Sequence, residues 1–222
     1  MPLLTPPTTR FVNQITRHIE RTIGPSPMVF HEMISTNTYM GLHIVPPHGG
    51  RNCHTIVTSG MSAWPMIPPP GAEADATRYA ELMVVLPADW PGLQPDGTLV
   101  QEEMEEEENW WPIRCLKMIA RMPHEYGTWV GAGHMVPNGE HEEPYAGNTG
   151  FGGVLLLPSA LHPQSHQLVA HDDVVIEFLA LWPVYPEEMA MQRARGTWAL
   201  RAALARAGVT EMVDVRRRNV AR

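Results

Sequence analysis

The sequence predicts an α+β domain in which helices pack against a β-sheet. Apolar runs of strand length recur through the middle of the 222 residues, and helical periodicity occurs near both ends and in the middle. The 22 prolines and 18 glycines indicate many turns, and no internal repeat or interior linker divides the chain. We therefore expect a single domain with a central mixed β-sheet flanked by helices.

The N-terminal half begins with a helix and continues with strands. Phe11, Ile15, Ile19 and Ile23 recur at steps of four and Gly24 follows, which predicts an amphipathic helix. Three segments of strand length predict strands: MVFHEMIS, YMGLHIVPP and the run CHTIVTSG, which is rich in β-branched residues. The proline-rich PMIPPPGAEADATR predicts a loop. The apolar run YAELMVVLP that follows predicts a central strand buried on both faces.

The C-terminal half has an acidic run, two further strands and a last helix. The run Glu102–Glu108 precedes a helical pattern that continues to Arg121, with Pro112 expected in the first turn. Negative charge suits a helix entrance, so the run is either a solvated entrance or an acidic recognition segment. GVLLLP and DVVIEFLALWPVY predict strands, and PEEMAMQRARGTWALRAALARAG predicts a helix with Gly196 as a candidate interruption. TEMVDVRRRNV offers a short final strand.

Composition and charge narrow the function. A formal charge of -8 with 16 Lys and Arg argues against nucleic-acid binding, which needs a basic surface. The cluster Arg216–Arg218 is too short to change this and is interpreted as a solvated tail. Cys53 and Cys115 have no CxxC spacing, so buried reduced thiols are expected. The sequence shows no signal peptide and no membrane-spanning run, which predicts a cytoplasmic protein.

The segment RMPHEYGTWVGAGHMVP, residues 121–137, is the strongest candidate for chemistry. It contains His124, Glu125 and His134, and a metal-dependent hydrolase would use these residues, with His124 and His134 as metal ligands. No HExxH, GxSxG or phosphate-loop motif accompanies them, so we expect neither a catalytic residue nor a cofactor. The alternatives are that the segment is a scaffold turning from helix to strand through its glycines, or a partner-contacting surface.

Five segments in order carry a resemblance to a known family: TIVTSGMSAWPM, YAELMVVLPADW, WWPIRCLKMIARMPHEYGTWVGAGHMV, NTGFGGVLLL and LWPVYPEEM with GTWALRAAL. Together they resemble the suppressor of fused domain, particularly its bacterial single-domain members, over roughly residues 30–218. The resemblance implies an α/β/α sandwich. It makes 1–29 an N-terminal segment with the amphipathic helix, 30–218 the domain and 219–222 a tail.

The resemblance also implies a function. Members of the family are not known as enzymes; the two-domain animal proteins bind a transcription-factor peptide between their domains as an added strand. Bacterial members occur among proteins proposed as immunity partners of polymorphic toxins. The chain is therefore expected to be a non-enzymatic protein-binding module, with a basic toxin domain as candidate partner and a housekeeping scaffold as the alternative. Gly133 stands where the animal proteins have an acid before the histidine, so no peptide-binding role is transferred to His134.

The surface residues expected to contact a partner are acidic or aromatic residues at the two ends of the predicted middle helix. They are Glu105, Glu106, Glu107, Glu108, Glu125 and Tyr126. An acidic surface would complement a basic partner and accelerate encounter.

Overall fold

In a computed structural model, which describes residues 10–35, 38–71 and 78–222, one mixed sheet runs through the domain. Its eight strands are β1 (Met28–Ser35), β2 (Thr38–Val45), β3 (Cys53–Ser59), β4 (Ala80–Pro87), β5 (Met135–Pro137), β6 (Gly153–Pro158), β7 (Gln167–Val169) and β8 (Val175–Val184). The order is β1-β2-β3-β4-β8-β6-β5, and β7 pairs with the start of β8. The β4–β8 pairing is parallel and the other strand pairings are antiparallel, which confirms the mixed sheet.

Helices cover both faces of the sheet. They are α1 (Val12–Thr22), α2 (Gln101–Met104), α3 (Glu107–Tyr126) and α4 (Pro186–Arg206). Alternate strand residues enter two separate cores, one with α2 and α3 and the other with α1 and α4. The predicted α+β class and α/β/α layering are therefore confirmed.

The predicted central strand is β4. Every residue from Ala80 to Leu86 is buried, because Leu82 and Val84 enter the α3 core while Met83 enters the α1 core. Strands covered on both faces read as continuous apolar runs rather than alternating ones, which is why the sequence pattern was informative.

The start of the middle helix differs from the prediction. The acidic run does not join α3 directly: α2 ends at Met104 and α3 begins at Glu107, so Pro112 lies in the second turn instead of the first. Pro112 has no N–H to donate to the Glu108 carbonyl four residues earlier. Asn148 Nδ2 donates to that carbonyl at 3.0 Å, and this contact ties the loop before β6 to α3.

The C-terminal segment is bound to the domain and is not a solvated tail. Its predicted strand is reduced to a single bridge, in which Val213 N–H donates to the Val85 carbonyl at 2.9 Å. The Arg217 side chain is 7 % exposed. The last residues contact the start of α4, where Asn219 Nδ2 donates to Glu187 at 2.7 Å.

Some expectations concern residues outside the described ranges. These are the first nine residues, where no signal peptide is expected, and positions 72–77 of the predicted proline-rich loop. Among the described helices, none is both long and apolar enough to cross a bilayer.

Candidate protein-binding surface

The acidic segment Glu105–Glu108 lies at the junction of α2 and α3, and all four side chains are exposed. Glu107 forms an ion pair with Arg114. Glu105 accepts a hydrogen bond of 3.4 Å from Gln101 Nε2. In the part of the chain that the structure describes, no cation pairs with Glu105 or Glu106, so their charge is available to a partner.

An apolar groove borders this segment. Two adjoining cavities of about 200 and 330 Å³ share Phe30, Leu99 and Trp110, and we call them the Phe30 groove. The remaining lining residues are Leu42, Ile44, Ile56, Gln101, Met104, Glu105, Ile113 and Lys117. Phe30 is 37 % exposed. The groove thus combines an apolar floor with two charged lining residues, the acidic Glu105 in one cavity and the basic Lys117 in the other.

The layering of the fold explains why the groove is open. α3 packs on β3 and β4 in the middle of the sheet, whereas Phe30 lies on the edge strand β1, opposite Leu42 of β2. Among the described residues, Leu99 and Trp110 lie beside the apolar side chains of this sheet edge and line the groove with them. Exposed apolar grooves with polar rims are typical of interaction sites.

Glu125 and Tyr126 form a separate patch. They occupy the C-terminal end of α3, which is 20 residues and about 30 Å long, while Glu105–Glu108 lie at its beginning. Tyr126 is 76 % exposed. The structure does not bring the six predicted contact residues into one surface.

Two of the three residues of the hydrolase hypothesis, His124 and His134, have structural contacts, whereas Glu125 is exposed. His124 is half-buried, and its Nε2 lies 2.8 Å from the Met61 carbonyl. The His134 ring contacts the Trp129 ring edge to face at 4.3 Å, and burial lowers the His134 pKa. Within the described ranges, no three His, Cys, Asp or Glu side chains are grouped so that they could hold a metal ion. The segment 121–137 ends α3 at the left-handed Gly127 and leads into β5, as the scaffold interpretation requires.

A fully buried carboxylate organises the turn after β3. Glu81 of β4 accepts hydrogen bonds from the hydroxyls of Thr58 and Ser62, both at 2.6 Å. It also accepts the backbone N–H groups of Gly60 and Ser62, both at 3.0 Å. Burial raises the Glu81 pKa, and these hydrogen bonds oppose the shift. Glu81 therefore joins the TSGMS and AELM motifs as a structural unit rather than as a reactive acid.

A buried ion pair fixes the C-terminal segment. Arg217 donates to both carboxylate oxygens of Glu188, at 2.5 and 2.7 Å, and the Glu188 side chain is fully buried. The guanidinium also lies over the Phe151 and Tyr185 rings at 4.9 and 4.8 Å. The PVYPEEM motif thus contributes a carboxylate that holds the chain after α4.

Burial also shifts the pKa values of two further groups, the Cys115 thiol and the His162 imidazole. Burial raises the pKa of the Cys115 thiol to about 12, which suppresses the reactive thiolate. His162 is 2 % exposed, with Nε2 2.9 Å from Thr55 Oγ1. Burial, and secondarily the positive charge of Arg51 and then His48, lower the His162 pKa to about 4. Its imidazole is therefore neutral near neutral pH.

The arrangement defines an α/β/α domain with an open, acid-rimmed groove. A family model described as Suppressor of fused protein (SUFU) matches residues 35–218. The chain belongs to the suppressor of fused family. No match is found among proteins with curated descriptions.

Solved structures share the fold at low sequence identity. A suppressor of fused homologue of Neisseria gonorrhoeae is similar with a TM-score of 0.66 and 15 % identity, over 96 % of this chain and 97 % of that one. A chain of the Sufu–Fu complex has a TM-score of 0.61 and 15 % identity, over 97 % and 93 %. Drosophila Suppressor of Fused has a TM-score of 0.61 and 14 % identity, over 97 % of this chain and about half (51 %) of its own length.

The sequence indicated Glu105 as an exposed acidic residue but gave no indication of the groove that it lines. Phe30, Leu99 and Trp110 come from three segments that are far apart along the chain, and each looks like an ordinary core residue. The partial exposure of Phe30 depends on how far α3 extends over the sheet, which no local pattern encodes.

Proposed function

We propose that this protein is a cytoplasmic, non-enzymatic protein-binding module that holds a basic partner at the Phe30 groove. The observation that carries the proposal is the position of Glu105 at the rim of that groove, beside the exposed Phe30 ring and the half-buried Trp110. An apolar anchor in a pocket, with polar residues at the rim, is typical of protein-binding interfaces.

Charge supports a basic partner. The chain carries 24 Asp and Glu against 16 Lys and Arg, and Glu105 at the groove and the adjacent Glu106 have no ion-pair partner among the residues that the structure describes. Such charges accelerate encounter with a positive surface and make it sensitive to salt. A basic toxin domain fits this chemistry, so the role we propose is that of an immunity protein.

Family membership supports binding over catalysis. One of the similar structures is a complex, that of Sufu with Fu. The contact of the half-buried His124 with the Met61 carbonyl, the hydrogen bonds of buried Glu81 and the burial of Cys115 support structural roles for these groups. We therefore place function at the surface groove and not at the segment 121–137.

The test is affinity capture from the native lysate at low and high salt, with bound proteins quantified by mass spectrometry. The baits are the wild type, Phe30→Ala, and a double variant with Glu105→Lys and Glu106→Lys. We expect the wild type to capture one dominant basic protein, more at low salt. Both variants should lose most of it, by about tenfold for an anchor residue.

The control bait is Trp64→Ala, which removes an aromatic ring that is 41 % exposed and does not line the groove. It should capture the partner like the wild type. Equal capture by all four baits would show that the partner binds elsewhere, and failure of the wild type to enrich any protein would overturn the binding function.

A further inference from the structure

A second groove lies on the opposite face of the sheet from the Phe30 groove. Its volume is about 430 Å³, and it separates the second half of α4 from the turn that follows β6. Leu157 and Trp182 form its floor and belong to the α1 core, whereas the Phe30 groove adjoins the α3 core. We call it the Trp198 groove, because Trp198 forms its wall.

Apolar residues on one side of α4 form the helical wall of this groove. Trp198, Ala202, Ala205 and Val209 recur at steps of three or four and therefore lie along one side of α4 and its end. The two alanines leave room for a large side chain beside Trp198. The Trp198 ring is 77 % exposed, although burial of such a ring is strongly favourable.

The charge beside this groove is opposite to that of the whole chain. Between Met189 and Val209 the sequence contains four arginines and no acidic residue, in a chain of net charge -8. Arg193 forms an ion pair with Glu142. Arg195, Arg201 and Arg206 are exposed and, among the residues described, have no ion-pair partner, and Arg201 lines the groove itself.

We propose that the Trp198 groove is a second docking surface, which takes an acidic segment of a partner protein. The segment places one large apolar side chain between Trp198 and Trp182 while its carboxylates contact Arg201 and its neighbours. Electrostatic complementarity selects the sign of the partner's charge, and the apolar anchor supplies the affinity. With both grooves occupied, one copy of the protein bridges a basic and an acidic surface.

The test uses a phage-displayed library of random peptides, selected on the immobilised full-length protein and sequenced. We expect peptides rich in Asp and Glu that share one aromatic or large aliphatic residue. A selected peptide, synthesised with a fluorescent label, should bind the wild type more weakly at high salt. Its Kd should rise at least about tenfold for Trp198→Ala and for Arg201→Glu, as for a hot-spot residue.

Control variants outside the Trp198 groove test whether the peptide binds specifically at that groove. Trp64→Ala and Phe30→Ala should bind the acidic peptide like the wild type, so this test stands independently of the Phe30 groove. Circular dichroism checks that each variant is folded, which the exposure of Trp198 and Arg201 favours. The proposal is overturned if no peptide is enriched, if the enriched peptides lack acidic residues, or if they bind Trp198→Ala as tightly as the wild type.

Discussion

Replacement of Arg217 by Ala should be among the most destabilising single changes outside the apolar core. Arg217 and Glu188 are almost inaccessible to water, at 7 % and 0 % side-chain exposure, and their contact is bidentate. The Arg217→Ala variant leaves the Glu188 carboxylate buried, with two donors remaining among the described residues, the N–H groups of Tyr185 and Val220. Removal of one partner of a buried pair costs about 3–5 kcal/mol.

The loss extends beyond the ion pair. Arg217 also donates to the Pro183 carbonyl at 2.8 Å and lies over two aromatic rings, so the variant releases the segment after Asp214 from the end of β8. The variant should therefore lose a free energy of unfolding near the upper end of that range, about 5 kcal/mol, which approaches the whole unfolding free energy of many domains. We therefore expect a large shift of the unfolding midpoint.

Urea unfolding monitored by tryptophan fluorescence measures this loss as a change in the free energy of unfolding. The exposed neighbours provide matched controls: Arg216→Ala and Arg218→Ala should each change it by less than about 0.5 kcal/mol. Replacement of both partners, Glu188→Gln with Arg217→Met, should recover part of the loss, because no unpaired charge remains. A change below about 1 kcal/mol for Arg217→Ala would refute the reasoning from desolvation.

Two further predictions concern buried titratable groups, and a third concerns metal. Unfolded His162 takes up a proton below its ordinary pKa of 6.5 and folded His162 only below about 4, so stability should fall as the pH drops through this range. Urea titrations at several pH values should show a shallower fall for His162→Gln, and an identical slope would contradict the assignment. Glu81→Gln should lower the unfolding free energy by about 1–3 kcal/mol, because its amide nitrogen replaces the oxygen that accepts a hydrogen bond from the Thr58 hydroxyl; an unchanged midpoint would count against the Glu81 network. Chelation should leave the Tm unchanged and elemental analysis should find no stoichiometric zinc, whereas a metal-dependent Tm would revive the hydrolase hypothesis.

The sequence predicted correctly those helices and strands whose pattern depends on residues close together in the chain. The steps of four from Phe11 to Ile23, the continuous apolar run of β4 and the interruption of α4 at Gly196 each depend on neighbours within one turn or one strand. Gly196, with φ 82° and ψ 163°, breaks the helix where the sequence suggested a break.

The contacts between distant segments could not be predicted in the same way. Glu188 and Arg217 are separated by the whole of α4, and nothing in the RRR cluster distinguishes the buried arginine from its solvated neighbours. The same limit applies to the candidate site. Glu105 was identifiable as an exposed acid, but its position beside Phe30 depends on packing between β1 and α2.

The central claim is that the Phe30 groove binds a basic partner, and the partner's affinity for groove variants tests it most directly. With the captured partner purified, titration calorimetry should compare the wild type, Phe30→Ala and Trp64→Ala at low and high salt. The account predicts a Kd that rises about tenfold or more for Phe30→Ala, remains unchanged for Trp64→Ala and increases with salt. Equal, salt-independent affinity in all three proteins would contradict it.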